Sequence, residues 1–247
     1  MTRSFWQLFL MNFKLLYRNA GGLFFTVAMP IGVYIALSVL PIGRLVENVR
    51  YADFVLPGIV AWMIMQTGTY NLAYWMVDLK SRGVIKRFLV TPISKTELVL
   101  SLLSARVLMI ILQAVVLTLV GIIFFNATFY GNILTALLFI IVGGFIFLLV
   151  GLLVSTFANS YEAAAPITAL ISIPMTFLGG IFYPVQTLPH SLQIIAKILP
   201  VTYLANGLRE IYTRPVHIYS TAQNLLPMLI WFVALLLLVL WRFRLEE

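Results

Sequence analysis

The chain has 247 residues, 62% hydrophobic and 10% charged, with a net charge of +8 and no cysteine. A soluble domain is roughly half apolar and a quarter charged, so this composition excludes one and describes an integral membrane protein. Without cysteine there is no disulfide or thiolate metal site, and the positive excess sits beside apolar runs, where it sets membrane orientation rather than binding nucleic acid.

The chain is expected to start without a cleavable signal, because a long charged stretch precedes its first apolar segment and no small-residue cleavage pattern follows. Residues 3–18 read as a helix lying on the membrane. Arg3, Gln7, Lys14 and Arg18 recur on one face, broken only by Met11, while Phe5, Trp6, Phe9, Phe13 and Leu16 supply the rest. A basic face opposite an aromatic one suits the interface. Asn19, Gly21 and Gly22 then break the pattern.

Spanning helices are expected at Gly22–Ile42, Phe54–Val77, Leu98–Phe125, Ile133–Phe157, Ala163–Phe182 and Leu225–Trp241. Each approaches the ~20 apolar residues that cross a bilayer core. Six spans put both termini on one side. With the N-terminus inside, eleven Lys and Arg residues are cytoplasmic and five are outside, which favours cytoplasmic termini. One membrane domain, 1–247, is expected, with no soluble domain and no internal repeat.

The connector 78–97 is then cytoplasmic. Lys80, Arg82, Lys86, Arg87 and Lys95 supply charge; Val84, Ile85, Phe88, Leu89 and Val90 supply apolar surface. Ser94 with Glu97 fits a capping box ahead of the third helix. An amphipathic segment here suits docking into a groove on another protein, or contact with anionic lipid.

The stretch 183–213 faces outward. Pro184, Pro189 and Pro200 limit any helix between them, and Pro189–Leu199 spans about 16 Å, half a bilayer core. Thr202 is placed to cap a second short helix. Its apolar side is Leu204, Leu208, Ile211 and Tyr212, against polar Asn206, Arg209 and Glu210. Two short helices that dip into the outer leaflet and return satisfy their backbone internally.

The spanning interiors carry almost no ionisable residue, which argues against ion coupling and intramembrane catalysis. Asp78 and Glu162 fall at expected helix ends. So does Arg106, which can snorkel. His190 and His217 lie in outer connections and read as surface groups rather than ligands. Neutral polar residues do recur. Trp62, Gln66, Thr69, Tyr70 and Ala73 share a face of the second helix; Ala164, Thr168, Ser172, Thr176 and Gly179 share one of the fifth; Gly151 and Ser155 form a small-residue pair in the fourth. Such faces serve helix packing or line a path for an amphipathic solute. Met175, Phe177, Phe182 and Tyr183 then stand at the outer end as an apolar constriction, with Pro184 beside them.

The order of these pieces, with "KRFLVTPISKTELVL" in the connector and "FYPV…LP…PVTYL" in the outer stretch, closely resembles the permease subunit of type-two ABC exporters over essentially the whole chain. The compact length is similar to bacterial drug- and lipid-exporting permeases. The resemblance implies an all-α membrane protein of six spans, with an N-terminal elbow helix and two outer re-entrant helices between helices five and six.

It also implies that the connector is a coupling helix, mapping to Ser81, Arg82, Gly83, Val84, Ile85, Lys86, Arg87, Phe88 and Leu89, seated on an ATP-binding subunit. Two permeases, identical or paralogous, and two ATPases make the implied unit in the inner (plasma) membrane, with the path between the permeases. No cofactor is expected on this chain, and ATP with Mg is expected on the partner. A P-loop needs a Gly-Lys pair, and the sequence has none. The expected role is ATP-driven export of a drug, lipid or related solute by alternating access, with no catalytic or metal residue here. The alternatives are an ATP-independent secondary transporter or scramblase, a lipid-acting membrane enzyme and an assembly subunit. Aromatic and methionine content suits amphipathic drugs or lipids and leaves sodium, a peptide or a glycan chain open.

Overall fold

The structure, a computed structural model, describes residues 3–40, 44–46, 49–84, 94–158, 160–213 and 218–242. It is mostly helical. Helix α1 is Arg3–Arg18, where Phe5, Phe9 and Phe13 stack at four-residue spacing with ring centroids 6.4 and 6.3 Å apart. Phe5 and Leu8 are buried while Trp6, Leu10 and Tyr17 are exposed. Helix α2, Ala20–Val39, begins where the Asn19 side chain accepts from the Gly22 amide. A short antiparallel pair of strands follows, β1 (Arg44–Val46) on β2 (Val49–Arg50), pairing Arg44 with Arg50. It is a small departure from an all-α expectation.

Next comes one unbroken helical run: α3 (Tyr51–Gln66), a π-helical segment (Thr67–Asn71) and α4 (Leu72–Ser81). Helix α5, Lys95–Phe125, is capped by Ser94, which accepts from the Glu97 amide at 3.1 Å, and ends on Asn126 in the left-handed region. Helices α6 (Ile133–Phe157), α7 (Tyr161–Leu178), α8 (His190–Ala196), α9 (Pro200–Thr213) and α10 (Ile218–Arg242) complete the chain.

Among the described residues four helical stretches are long and apolar enough to cross a membrane: Thr96–Phe125 in α5, then α6, α7, and Thr221–Arg242 in α10. Helix α2 contributes a shorter apolar stretch, Phe24–Val39. The π segment divides the 51–81 run, so neither part alone reaches spanning length. Exposed apolar side chains on α5 and α10, such as Ile123, Phe124, Leu237 and Leu240, need an apolar surrounding.

Between helices in lipid, close van der Waals packing replaces the hydrophobic drive, so small residues matter at contacts. The π segment meets α6 this way. A Cβ on Gly151 would sit 2.5 Å from the Gly68 carbonyl, and one on Gly68 would sit 2.5 Å from Phe147 Cβ. Ser155 is fully buried and its carbonyl accepts from Lys80 Nζ at 2.7 Å. The small-residue pair in α6 thus serves packing.

Two expectations need correcting. The helix expected as the fifth span ends at Leu178, not Phe182, because Gly179 and Gly180 follow and Gly180 takes φ +70°. Thr202 does not cap α9. The helix starts at Pro200, and Thr202 Oγ1 reaches back to donate to the Ala196 carbonyl at 2.6 Å, tying α9 to α8. The apolar side read for α9 is buried: Leu204, Leu208, Ile211 and Tyr212 are each at most 2% exposed.

Candidate functional site

The neutral polar residues of the candidate path come from α3, the π segment and α7. Trp62 is buried on α3, and Gln66 is half-buried at its end. Thr69 is fully buried and Tyr70 half-buried on the π segment. The extra residue of a π turn re-aims the side chains after it, which brings Tyr70 toward Ser172 of α7. Thr168 and Ser172, one turn apart, are buried on the inner side of α7. Thr168 Oγ1 donates to the Ala164 carbonyl at 2.6 Å, and Thr176 Oγ1 to the Ser172 carbonyl at 2.7 Å.

Two polar atoms in this seam, Gln66 Oε1 and Thr69 Oγ1, have no partner among the described residues, and Ser172 Oγ has only the Tyr70 hydroxyl beside it. Met175 continues the same side of α7, half-buried against the core. Phe177 does not; it is 57% exposed, on the outer surface with Leu170 and Ile173. Of these residues the structure sets Tyr70 beside Ser172 and Trp62 against Phe182, buries Thr69 and Thr168 within their helices and half-buries Gln66, Met175 and Thr176, and leaves Phe177 apart on the exposed side.

The 179–184 turn closes one end of this seam. Phe182 packs on Trp62 with ring centroids 6.2 Å apart, and its carbonyl accepts from the Tyr51 hydroxyl at 3.2 Å. The Tyr183 hydroxyl donates to the Phe177 carbonyl. Pro184 lies at the edge of a polar cavity of about 400 Å³, with Asn206, Arg209, Glu210 and Asn224.

Arg209 anchors that end. Its Nη2 donates to the Gly180 carbonyl at 2.8 Å, Nε to the Phe54 carbonyl at 3.2 Å, and Nη1 to Asn206 Oδ1 at 3.0 Å. Burial lowers its pKa to about 9, still high enough to keep the guanidinium charged at neutrality. Nearby, Asp53 accepts from Arg50 at 2.7 and 3.1 Å and from the Thr128 amide at 3.1 Å. Arg50 also donates to the Asn126 carbonyl at 2.6 Å. Sequence reasoning missed all three: the Arg50–Asp53 pair was readable from its three-residue spacing, whereas the Phe54, Asn126 and Thr128 backbone groups they also bond are distant in sequence.

At the other end of α4, Ser81, Arg82, Gly83 and Val84 of the candidate coupling segment are described. Ile85, Lys86, Arg87, Phe88 and Leu89 lie outside the described residues, as does His217. The helix stops at Ser81, and Gly83 just beyond it takes φ +64°, a region that favours glycine. Asp78 Oδ1 accepts from Arg82 Nε and from the Tyr161 hydroxyl, both at 2.8 Å, linking the end of α4 to the start of α7.

Arg106 departs from the sequence reading. Helix α5 starts at Lys95, so Arg106 lies ~16 Å along it. It is 3% exposed rather than snorkelling. Its guanidinium stands over the Trp75 ring at 5.6 Å and lines a cavity of about 360 Å³ between α1, α2, the π segment, α4 and α5. The signal for this was present: Arg106 is the one charged residue in Leu98–Phe125. Among the described residues no group of His, Asp and Glu is arranged to hold a metal ion.

Residues 45–241 match a protein-family profile described as "ABC-2 family transporter protein". The chain is similar to the inner membrane transport permease YadH of Escherichia coli, 23% identical over 64% of this chain and 62% of that protein. It is also similar to the probable multidrug ABC transporter permease YbhR of Escherichia coli, 22% identical over 74% of this chain and 50% of that protein. With nodulation protein J of Rhizobium meliloti it is 28% identical over 69% of this chain and 64% of that protein. The chain thus spans under two thirds of the length of these relatives.

Proposed function

The chain belongs to the ABC-2 family of transporter proteins, and on that premise we propose that it is the membrane subunit of an ATP-driven exporter. It moves an amphipathic drug, lipid or related solute outward, powered by a separate ABC-type ATP-binding subunit in two copies. A second permease, identical or paralogous, completes the path. The family assignment supports a transport subunit rather than an enzyme, with ATP and Mg held by the partner.

In this reading α2 and the α3–π–α4 run also cross the inner (plasma) membrane, giving six spans and cytoplasmic termini. Helix α1 is the interfacial elbow, 81–89 the coupling segment, and α8 with α9 the outer re-entrant pair. The names of the relatives, permeases of an inner membrane and of probable multidrug transport, support the location and the solute class.

The observation that carries the path is the seam between α3, the π segment and α7. Buried polar atoms in an apolar phase are costly when unpaired. Gln66 Oε1 and Thr69 Oγ1 are two such atoms among the described residues, and Ser172 Oγ has only the Tyr70 hydroxyl beside it. Helix α7 is a mobile candidate by its packing, since only 17% of it is buried. Closing of the ATPases would push the coupling segments and shift α3–α4 and α7 of the two permeases between inward and outward cavities, as packed helices slide.

Tagged protein isolated gently from its native membrane is expected to bring down a P-loop ATPase in equal amount. The double substitution Ile85→Asp with Phe88→Asp is expected to lose that ATPase and transport while still inserting. Recovery of an intact oligomer without ATPase in several mild detergents would support an ATP-independent transporter or scramblase instead.

A further inference from the structure

Two buried N–H donors beside the Arg106 cavity are left unbonded by the described residues. Arg106 Nε and Trp75 Nε1 both lack a partner among the described residues, and both residues line this cavity. The carboxylate on its wall, Asp78, is occupied by Arg82 and Tyr161. Arg106 and Arg82 against Asp78 leave the described wall with a net charge of +1. Thr67 Oγ1 donates to Gln113 Oε1 at 3.2 Å, which turns the Gln113 amide nitrogen into a further donor.

A buried guanidinium without a counter-ion is costly, so a purely structural arginine at this depth would be bonded to carbonyls or a carboxylate. Arg209 in the same chain is bonded that way. Arg106 is not. The imbalance is an excess of donors, which an anion with several acceptor oxygens corrects. A planar guanidinium fork fits phosphate oxygens in pairs. The cavity volume, about 360 Å³, lies within the range of small-ligand sites.

We propose that this cavity is a subsite for a phosphate-type anion, bound by Arg106 with Trp75 Nε1 and the Gln113 amide as neutral donors. The anion is a phosphorylated lipid headgroup entering from the membrane, or a soluble phosphate. The proposal deepens the permease reading and rests on it for the meaning of the site, while binding itself needs no partner chain.

The test is thermal unfolding of the purified full chain in an uncharged detergent. The probes are dioctanoyl phosphatidic acid, dioctanoylglycerol as its uncharged counterpart, and inorganic phosphate against chloride of equal ionic strength. Phosphatidic acid is expected to raise Tm saturably by about 2–4 °C, and dioctanoylglycerol to leave it unchanged. Arg106→Gln is expected to abolish the shift, and exposed Lys14→Gln to preserve it. Arg106→Lys and Trp75→Phe are expected to weaken binding roughly tenfold. A shift with phosphatidic acid alone identifies a headgroup; an equal shift with inorganic phosphate identifies a soluble anion.

No shift with either anion, an equal shift with dioctanoylglycerol, or a shift that survives Arg106→Gln overturns the proposal. If Arg106→Gln does not yield monodisperse protein, unchanged affinity in both Arg106→Lys and Trp75→Phe overturns it. Anion binding in a chain that brings down no ATPase refutes the exporter and keeps the site. An ATPase partner without anion binding does the reverse.

Discussion

The Arg209 guanidinium lies 3.8 Å from the centre of the Phe54 ring while donating to the Phe54 and Gly180 carbonyls. One side chain of α9 therefore joins α3 to the turn that ends α7. The three segments belong to distant parts of the chain, and two of them border the candidate path.

Arg209→Ala removes the stacking and three hydrogen bonds and leaves two carbonyls short of a donor. A loss of about 2–4 kcal/mol is expected, read as a fall in Tm of the detergent-solubilised protein. Arg209→Lys is expected to recover under half of it, since an ammonium cannot reproduce the planar fork. A fall no larger than that of exposed Lys197→Ala would remove the anchoring role.

Gly58 sits under the same turn. A Cβ there would lie 2.1 Å from the Ile181 carbonyl oxygen, so Gly58→Ala must push the 179–184 turn off α3. Overpacking of this kind costs about 1–3 kcal/mol. Transport is expected to fall further than stability, because Phe182 would leave Trp62. Transport assayed beside Tm separates the two effects, and unchanged transport would show that the contact does not matter to the path.

Asp53 holds Arg50 and the Thr128 amide together. Asp53→Ala is expected to destabilise by about 2–3 kcal/mol through the loss of charge-assisted bonds at a buried site. Proteolysis near residues 126–130 is the sensitive readout, since the Thr128 amide would be released. Protection equal to the native chain would mean that α5 and α6 hold this connection unaided.

The seam makes a prediction of opposite sign for stability and function. Thr69→Val keeps the shape of a fully buried side chain and deletes a hydroxyl with no partner. Stability is expected to hold or rise by about 1 kcal/mol, while transport of an amphipathic solute falls. Full transport by Thr69→Val and Ser172→Ala together would reduce the seam to packing.

Much of the architecture was legible because a bilayer leaves few choices. Apolar length alone placed α6 at Ile133–Phe157, residue for residue, and proline spacing placed the breaks around α8 and α9. The capping role of Ser94 could be read from Ser94 and Glu97 together. The end of α7 was overrun by four residues, because Phe182 is apolar enough to extend the pattern while Gly180 stops the backbone. Thr202 was misplaced because a hydroxyl ahead of a helical pattern resembles a cap, and only the position of Ala196 shows that it bonds backward.

By itself the sequence determined that this is a membrane protein, where its long apolar helices lie, and, through the connector and outer motifs, which family it belongs to. These follow from local chemistry: hydropathy, proline and glycine act on the backbone next to them. Tertiary structure alone decided which polar groups find partners. Arg106 and Arg209 are both buried arginines beside a cavity, yet Arg209 is bonded to two carbonyls and Arg106 to none among the described residues. That difference depends on the Phe54 carbonyl and ring, 155 residues away, and on the Gly180 carbonyl for Arg209, and on a stacked but unbonded Trp75 for Arg106. Hydrogen bonds require atoms at bonding distance, and only the packed chain sets those distances.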